Sequence, residues 1–197
     1  MRAARLARDF EVAVRWRSFP LHPGIPEDGQ DLAELFAGRG VDLDAVFARL
    51  KTFAAEVGLP LGDRRRTHNS RRAQELSLWA EEHDAGEAFR GAVFRGYFAE
   101  GRNIARIDVL AALAESAGLS DEEAKRVLRE GTYAAAVDGE WERARVLGIR
   151  AVPTMLLKDR RIEGFRPYAD LVDFVTKAGV YRRAGELGQN EGSPASA

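Results

Sequence analysis

No cysteine occurs in the 197 residues. That absence removes disulfide staples, thiolate metal sites and thiol nucleophiles from this polypeptide. Charge of one sign is lacking as well: 30 basic residues face 31 acidic ones, for a formal net charge of −1, so no global field steers the chain toward nucleic acid or an anionic membrane. Only four of the basic residues are lysine, a bias that reflects a GC-rich bacterial genome and carries no functional content. No apolar run approaches 18 residues, the length a membrane span needs. Met1–Arg8 has basic residues without the apolar core of a signal peptide, so the expected location is the cytoplasm. Neither a Gly-x-Gly-x-x-Gly loop nor a phosphate loop nor a Gly-x-Ser-x-Gly elbow is present, which leaves nucleotide binding and serine hydrolysis unsupported. The three histidines, His22, His68 and His83, lack metal-ligand spacing, and no metal site is expected. With 45% apolar and 31% charged residues, the chain has the make-up of a medium globular protein with a core of its own.

What is present divides into an α/β frame and a long helical block. Met1–Asp9 carries Ala4, Leu6 and Ala7 among arginines and reads as a helix end that nothing caps at its start. Glu11–Arg17 alternates with period two, setting Val12, Val14 and Trp16 on one face, and is expected to be a strand. Phe19–Gly29, with prolines at 20, 23 and 26, is an irregular loop. Six helical segments follow. In the first, Asp42 caps a run bearing Leu43, Val46, Phe47, Leu50, Ala54 and Val57, stopped by Gly58. Asn69 or Ser70 caps a helix carrying Ala73, Leu76 and Ala80, and Phe89, Ala92, Val93 and Tyr97 stripe the next. Ile107–Ala117 closes at Gly118, Ser120–Glu123 is a capping box for the segment behind it, and Thr132–Leu147 is the last.

Leu147–Leu157 then reads as a helix end, a tight turn into Val152-Pro153 and a buried strand. Proline has no N–H and lowers the trans preference to under about 1 kcal/mol. One reading is therefore a cis Val152–Pro153 loop whose outward main chain pairs with an extended peptide as an added strand. The other is a trans proline opening an ordinary strand. Beyond it, Met155–Leu157 is apolar, Lys158–Arg161 is a polar turn, Ile162–Phe165 returns as a strand, and Pro167–Gly179 has helical spacing through Leu171, Phe174 and Val175. The fold class is α/β, with a helical insertion over about 31–128, a C-terminal half over 129–180 and a small, polar tail at 181–197 expected to be disordered.

Four motifs in order carry a resemblance: Val14-Arg-Trp-Arg-Ser-Phe-Pro-Leu21 with Gly24-Ile-Pro-Glu-Asp-Gly29, then Thr67-His-Asn-Ser70, then Phe94–Ile104, then Gly148-Ile-Arg-Ala-Val-Pro153. From about Phe10 to Val180 the chain resembles the DsbA-like thioredoxin domain. Within it the chain is similar to the FrnE-type dithiol oxidoreductases, relatives of 2-hydroxychromene-2-carboxylate isomerase and kappa-class glutathione transferase. The resemblance implies a thioredoxin-like fold and thiol-disulfide oxidoreductase activity, with Cys-x-x-Cys at the start of a first helix, where the helix dipole stabilises a thiolate. The strand and helix start that would bear this motif are missing here, so no catalytic residue is assigned. Either the true start lies upstream and the dithiol with it, or the protein is a glutathione-dependent isomerase or transferase of the same superfamily, or it is redox-inactive and keeps a peptide-binding or chaperone groove. The substrate-binding set that the resemblance implies is Val152, Pro153 and Thr154 of the proline loop with His68, Asn69 and Ser70. Implied partners are a disulfide-containing or extended peptide and a second copy as a homodimer, with neither nucleic acid nor membrane. Glutathione is the one cofactor admitted, through the isomerase and transferase relatives. Simpler readings stand beside these: Asn69 and Ser70 as helix caps, Arg64–Arg66 with Arg71 and Arg72 as a solvated arginine cluster, and Phe94, Tyr97 and Phe98 as packing of the helical block.

Overall fold

The computed structural model describes residues 2–183, and the chain divides into two compact units, residues 18–148 and the two chain ends up to Arg17 and from Ile149. The expected helical insertion at 31–128 falls inside the first. That unit contains a two-residue strand β1 (Gln30–Asp31), the short α2 (Leu32–Leu35), α3 (Leu43–Glu56), β2 (Arg66–Thr67), α4 (Arg71–Glu82), α5 (Gly86–Phe94), a π-helical turn at Arg95–Ala99, α6 (Ile107–Ser116), α7 (Asp121–Glu130) and α8 (Ala134–Val146). β1 and β2 pair antiparallel, Gln30 opposite Thr67.

Helix α4 organises this unit. It packs against α5, α6, α7 and α8, and its Leu76 and Ala80 are fully buried together with Phe89, Leu110, Ala114 and Ala124 from three of those helices. Apolar residues at i, i+3 and i+7 along α4 (Ala73, Leu76 and Ala80, with Trp79 beside them) produce that stripe. The helix starts form as their side chains dictate: the Asp42 carboxylate accepts from Ala45 N–H at 3.0 Å and the Ser120 hydroxyl from Glu123 N–H at 3.2 Å. Gly96 is buried in the π turn, where an added Cβ would meet the Leu113 methyls at 3.1–3.2 Å, so only glycine lets this turn approach α6. α3 behaves otherwise: it forms over the expected residues, yet none of them is buried.

The other unit holds α1 (Arg2–Asp9), the hairpin of β3 (Thr154–Leu157) and β4 (Arg160–Glu163), and α9 (Tyr168–Lys177). Leu6, Phe10, Leu171, Phe174 and Val175 form its core, with Met155, Leu157 and Ile162 packed against it. Several expectations change here. Glu11–Arg17 is not a strand: among the described residues its neighbourhood holds one bridge, Phe10 with Arg182, and Trp16 is 51% exposed. Alternation creates a pleated face, but a strand also needs a partner backbone along its length, and among the described residues β pairing here is confined to the bridge at Phe10. The β3–β4 turn is two residues, Lys158–Asp159, rather than four, and the return strand ends at Glu163 rather than Phe165. β3 is half-exposed rather than buried, with Leu156 46% exposed. Residues 181–183, expected in the tail, are tied to the end of α1: Glu11 N–H donates to Tyr181 C=O at 2.9 Å and Arg183 N–H to Asp9 C=O at 3.0 Å. The rest of that tail lies outside the described residues.

Truncating Phe89, wholly buried between α4 and its neighbours, to alanine is expected to destabilise the helical unit by about 3–5 kcal/mol. Urea denaturation followed by circular dichroism measures it.

Candidate functional site

The expected site residues divide between the two units. His68, Asn69 and Ser70 belong to the helical unit, and Val152, Pro153 and Thr154 to the hairpin unit.

In the helical unit the segment from β2 into α4 is a polar hub. Asn69 spends its whole amide: Nδ2 donates to Ile25 C=O at 2.8 Å and to Pro23 C=O at 3.3 Å, while Oδ1 accepts from Arg71 N–H at 2.9 Å. It thereby caps α4 and fixes the proline-rich loop to it. Ser70 makes no capping bond. Its hydroxyl accepts from Gln74 Nε2 at 3.0 Å, and Gln74 goes on to Phe19 C=O at 3.1 Å and to Trp141 Nε1–H at 2.7 Å. Of the two capping candidates, Asn69 holds the role, because its longer side chain reaches both the helix N–H and the loop carbonyls.

His68 lies against the backbone of Gly29, where an added Cβ would fall 2.5 Å from the ring and φ is +81°. Its ring stands edge-on to Tyr97 at 6.3 Å, and its Nδ1 is buried without a hydrogen-bond partner. Burial, followed by the positive charges of Arg66 and Arg64, holds the His68 pKa below the ordinary 6.5. Tyr97, expected as packing alone, is also a polar node: its hydroxyl bonds the Thr67 hydroxyl at 2.9 Å and accepts from Arg64 Nη1 at 2.8 Å. Sequence spacing placed Tyr97 on the apolar stripe of α5. The π turn adds a residue to the helical turn there and re-aims the hydroxyl toward β2.

The arginines are engaged rather than merely solvated. Arg71 reaches the buried Glu75 at 3.0 Å and Asp138 at 2.7 Å and lies over the Trp141 ring. Arg72 reaches Glu27 at 2.6 Å and Ala105 C=O at 2.7 Å, and Arg66 donates to Gly29 C=O at 2.9 Å. A surface depression of about 200 Å³ lies among Glu27, Asn69, Arg71, Arg72 and Ala105. Its two guanidiniums already face carboxylates, so it offers an anion no uncompensated charge.

In the hairpin unit Ile149–Pro153 leads into β3. The Val152–Pro153 peptide is cis, and Val152 is 45% exposed. The Thr154 hydroxyl donates to Ala151 C=O at 2.7 Å and closes the turn from inside. The register fixes which main-chain groups face out. A two-residue turn makes Leu157–Arg160 a hydrogen-bonded pair, and alternation makes Met155–Ile162 another, continued by Gly164 N–H donating to Pro153 C=O at 2.8 Å. Thr154 and Leu156 therefore turn their N–H and C=O groups to the outer edge of β3. Val152, just before the cis peptide, also has a main chain without a partner among the described residues.

Residues 1–176 match the DSBA-like thioredoxin domain. The chain belongs to that family. Its fold is similar to that of the probable DsbA oxidoreductase SCO1869 from Streptomyces coelicolor, at 28% identity and a TM-score of 0.76, over 91% of this chain and 77% of that one. It is also similar to that of a 2-hydroxychromene-2-carboxylate isomerase, at 22% identity and a TM-score of 0.67, over 90% and 85% of the two chains. In sequence it is 36% identical over 90 residues to the uncharacterized protein YwbO of Bacillus subtilis strain 168, a stretch that makes up 44% of each chain and so less than half of that relative's length. This DsbA-like chain thus has the mixed helix and sheet fold of a thiol-disulfide oxidoreductase family and no thiol among its residues.

Two outcomes follow from the polar hub. Asn69→Ala removes a cap and two loop ties and is expected to cost about 1–3 kcal/mol, against less than about 1 kcal/mol for Ser70→Ala, both read by urea denaturation. Because the folded-state pKa of His68 is depressed, the unfolded chain takes up its proton first as pH falls. The His68 contribution is therefore complete above pH 7 and is lost as pH drops through and below 6.5. A urea midpoint that falls over pH 7 to 5 in the parent and less steeply in His68→Asn is the expected result.

Proposed function

We propose that this chain binds an extended peptide as an added strand along the outer edge of β3, and that this holds a disulfide-bearing segment for thiol-disulfide exchange of the kind its family performs. The observation that carries the reading is the pair of outward main-chain groups at Thr154 and Leu156, with the unpartnered main chain of Val152 ahead of them. Strand addition takes its affinity from such groups and its selectivity from the alternate side chains beside them. Val152 and Leu156 offer apolar contacts, and Thr154 sits between them. An exposed strand edge is a template that a folded protein either covers or uses, and family membership together with the 28%-identical oxidoreductase favours use.

The chemistry of exchange limits what the chain does itself. Attack on a disulfide needs a thiolate that ends in a mixed disulfide, and no residue of this sequence can become one. The nucleophile therefore comes from outside these 197 residues, and the role of this polypeptide is to bind and orient.

The register supplies a specific test. Proline at position 156 removes an outward N–H and leaves the β4 ladder intact. Leu156→Pro is expected to weaken binding of a fluorescent extended peptide at least about tenfold by anisotropy while the circular dichroism spectrum is kept. Parent binding should not change with reductant, and insulin reduction by the chain alone should show no turnover. Equal peptide affinity in the parent and Leu156→Pro would overturn the strand-addition reading.

A further inference from the structure

The two edges of the β3–β4 hairpin differ in what they allow to pair. On β4 the main chains that turn outward are those of Arg161 and Glu163, the alternates of the paired Arg160 and Ile162. Their side chains form an ion pair at 3.0 Å, and Glu163 C=O accepts from Arg166 Nε at 2.9 Å. Charged side chains and covered main-chain groups keep a sheet edge from pairing. β3 has neither. Its residues, Thr154-Met-Leu-Leu157, hold no charge, and the outward main-chain groups of Thr154 and Leu156 have no hydrogen-bond partner among the described residues.

β3 is also apolar on both faces. Met155 and Leu157 join the core built by Leu6, Phe10 and Phe174 yet stay only part-buried, whereas Leu156 turns to the other face and is 46% exposed. An added strand alternates its side chains between the same two faces, whichever direction it runs. Resting on strand addition at this edge, we propose that the ligand is a segment apolar on both faces, with three consecutive apolar residues, rather than an amphipathic strand. The middle residue lies beside Leu156, and its two neighbours lie beside Met155 and Leu157, where they extend the core of the hairpin unit. A polar side chain at either neighbouring position loses water against apolar surface and gains no partner. The middle position tolerates polarity better, because the Leu156 face is open to solvent. β-Branched residues suit all three places.

Three fluorescent peptides of equal length, with lysine at both ends, test this by anisotropy on the full chain. Their central residues are Val-Val-Val, Val-Ser-Val or Ser-Val-Ser. The first is expected to bind at least about tenfold more tightly than the third, through the core-facing positions. Its advantage over the second is expected to be about threefold, through the Leu156 face. Leu156→Thr should remove that smaller difference and keep the larger one, with the circular dichroism spectrum unchanged. Equal affinity of the three peptides for the parent, with all of them still weakened by Leu156→Pro, overturns this proposal and leaves strand addition standing. Equal binding of every peptide by the parent and Leu156→Pro overturns both. Sedimentation velocity across about 5–500 μM checks the occupant: a dimer that the Val-Val-Val peptide does not dissociate places a second copy on this edge and also overturns the proposal.

Discussion

Burial of one face of α4 is the constraint on which the helical unit depends. Leu76 and Ala80 are fully enclosed and Trp79 nearly so, and four other helices lie against this one. Apolar area removed from water supplies the driving force, and α4 is the element from which most of that area is shared. Its polar N-terminus determines where the irregular parts go. Asn69, Gln74, Arg71 and Arg72 run from the first turns of α4 to the loop at 19–29, to α8 and to the segment before α6. The same helix thus sets both the core and the course of the longest loop in the unit.

The electrostatics follow from this arrangement. A chain with 26 arginines and a net charge of −1 can present basic patches or consume them internally, and near α4 it consumes them. Glu75 is buried and tolerates that position because Arg71 lies 3.0 Å away; a buried carboxylate without such a partner would cost several kcal/mol. Arg71 is shared between Glu75, Asp138 and the Trp141 face, which joins α4 to α8 through charge, hydrogen bonding and ring stacking together. Where the surface is not so closed, at the outer edge of β3, backbone groups remain available, and the proposed function rests on that place.

Sequence patterns carried the helices well and the sheet poorly. Caps at Asp42 and Ser120 and the glycine stop after α6 are local signals, made by side chains on backbone a few residues away, so spacing alone reveals them. Glu11–Arg17 shows the opposite case. Its alternation of Val12, Val14 and Trp16 is genuine, but strand formation depends on a partner that the segment does not encode. Arg160 and Arg161 look like turn residues in the sequence, so the β3–β4 turn reads longer than it is; on an exposed hairpin they are acceptable strand residues. Asn69 and Ser70 were equivalent as capping candidates until the position of the Pro23–Ile25 carbonyls separated them.

The sequence by itself determined that no thiol chemistry can occur on this polypeptide, where most of its helices begin and end, and which four motifs tie it to a DsbA-like domain. These are properties of composition and short-range geometry, and they need no knowledge of distant neighbours. Only the tertiary structure decided that Tyr97 is a polar node, that the arginines near α4 are neutralised, and that Thr154 and Leu156 turn their main chains outward. Each depends on which residues far apart in sequence meet in space, and that is settled by packing and strand register rather than by the order of residues along any one element.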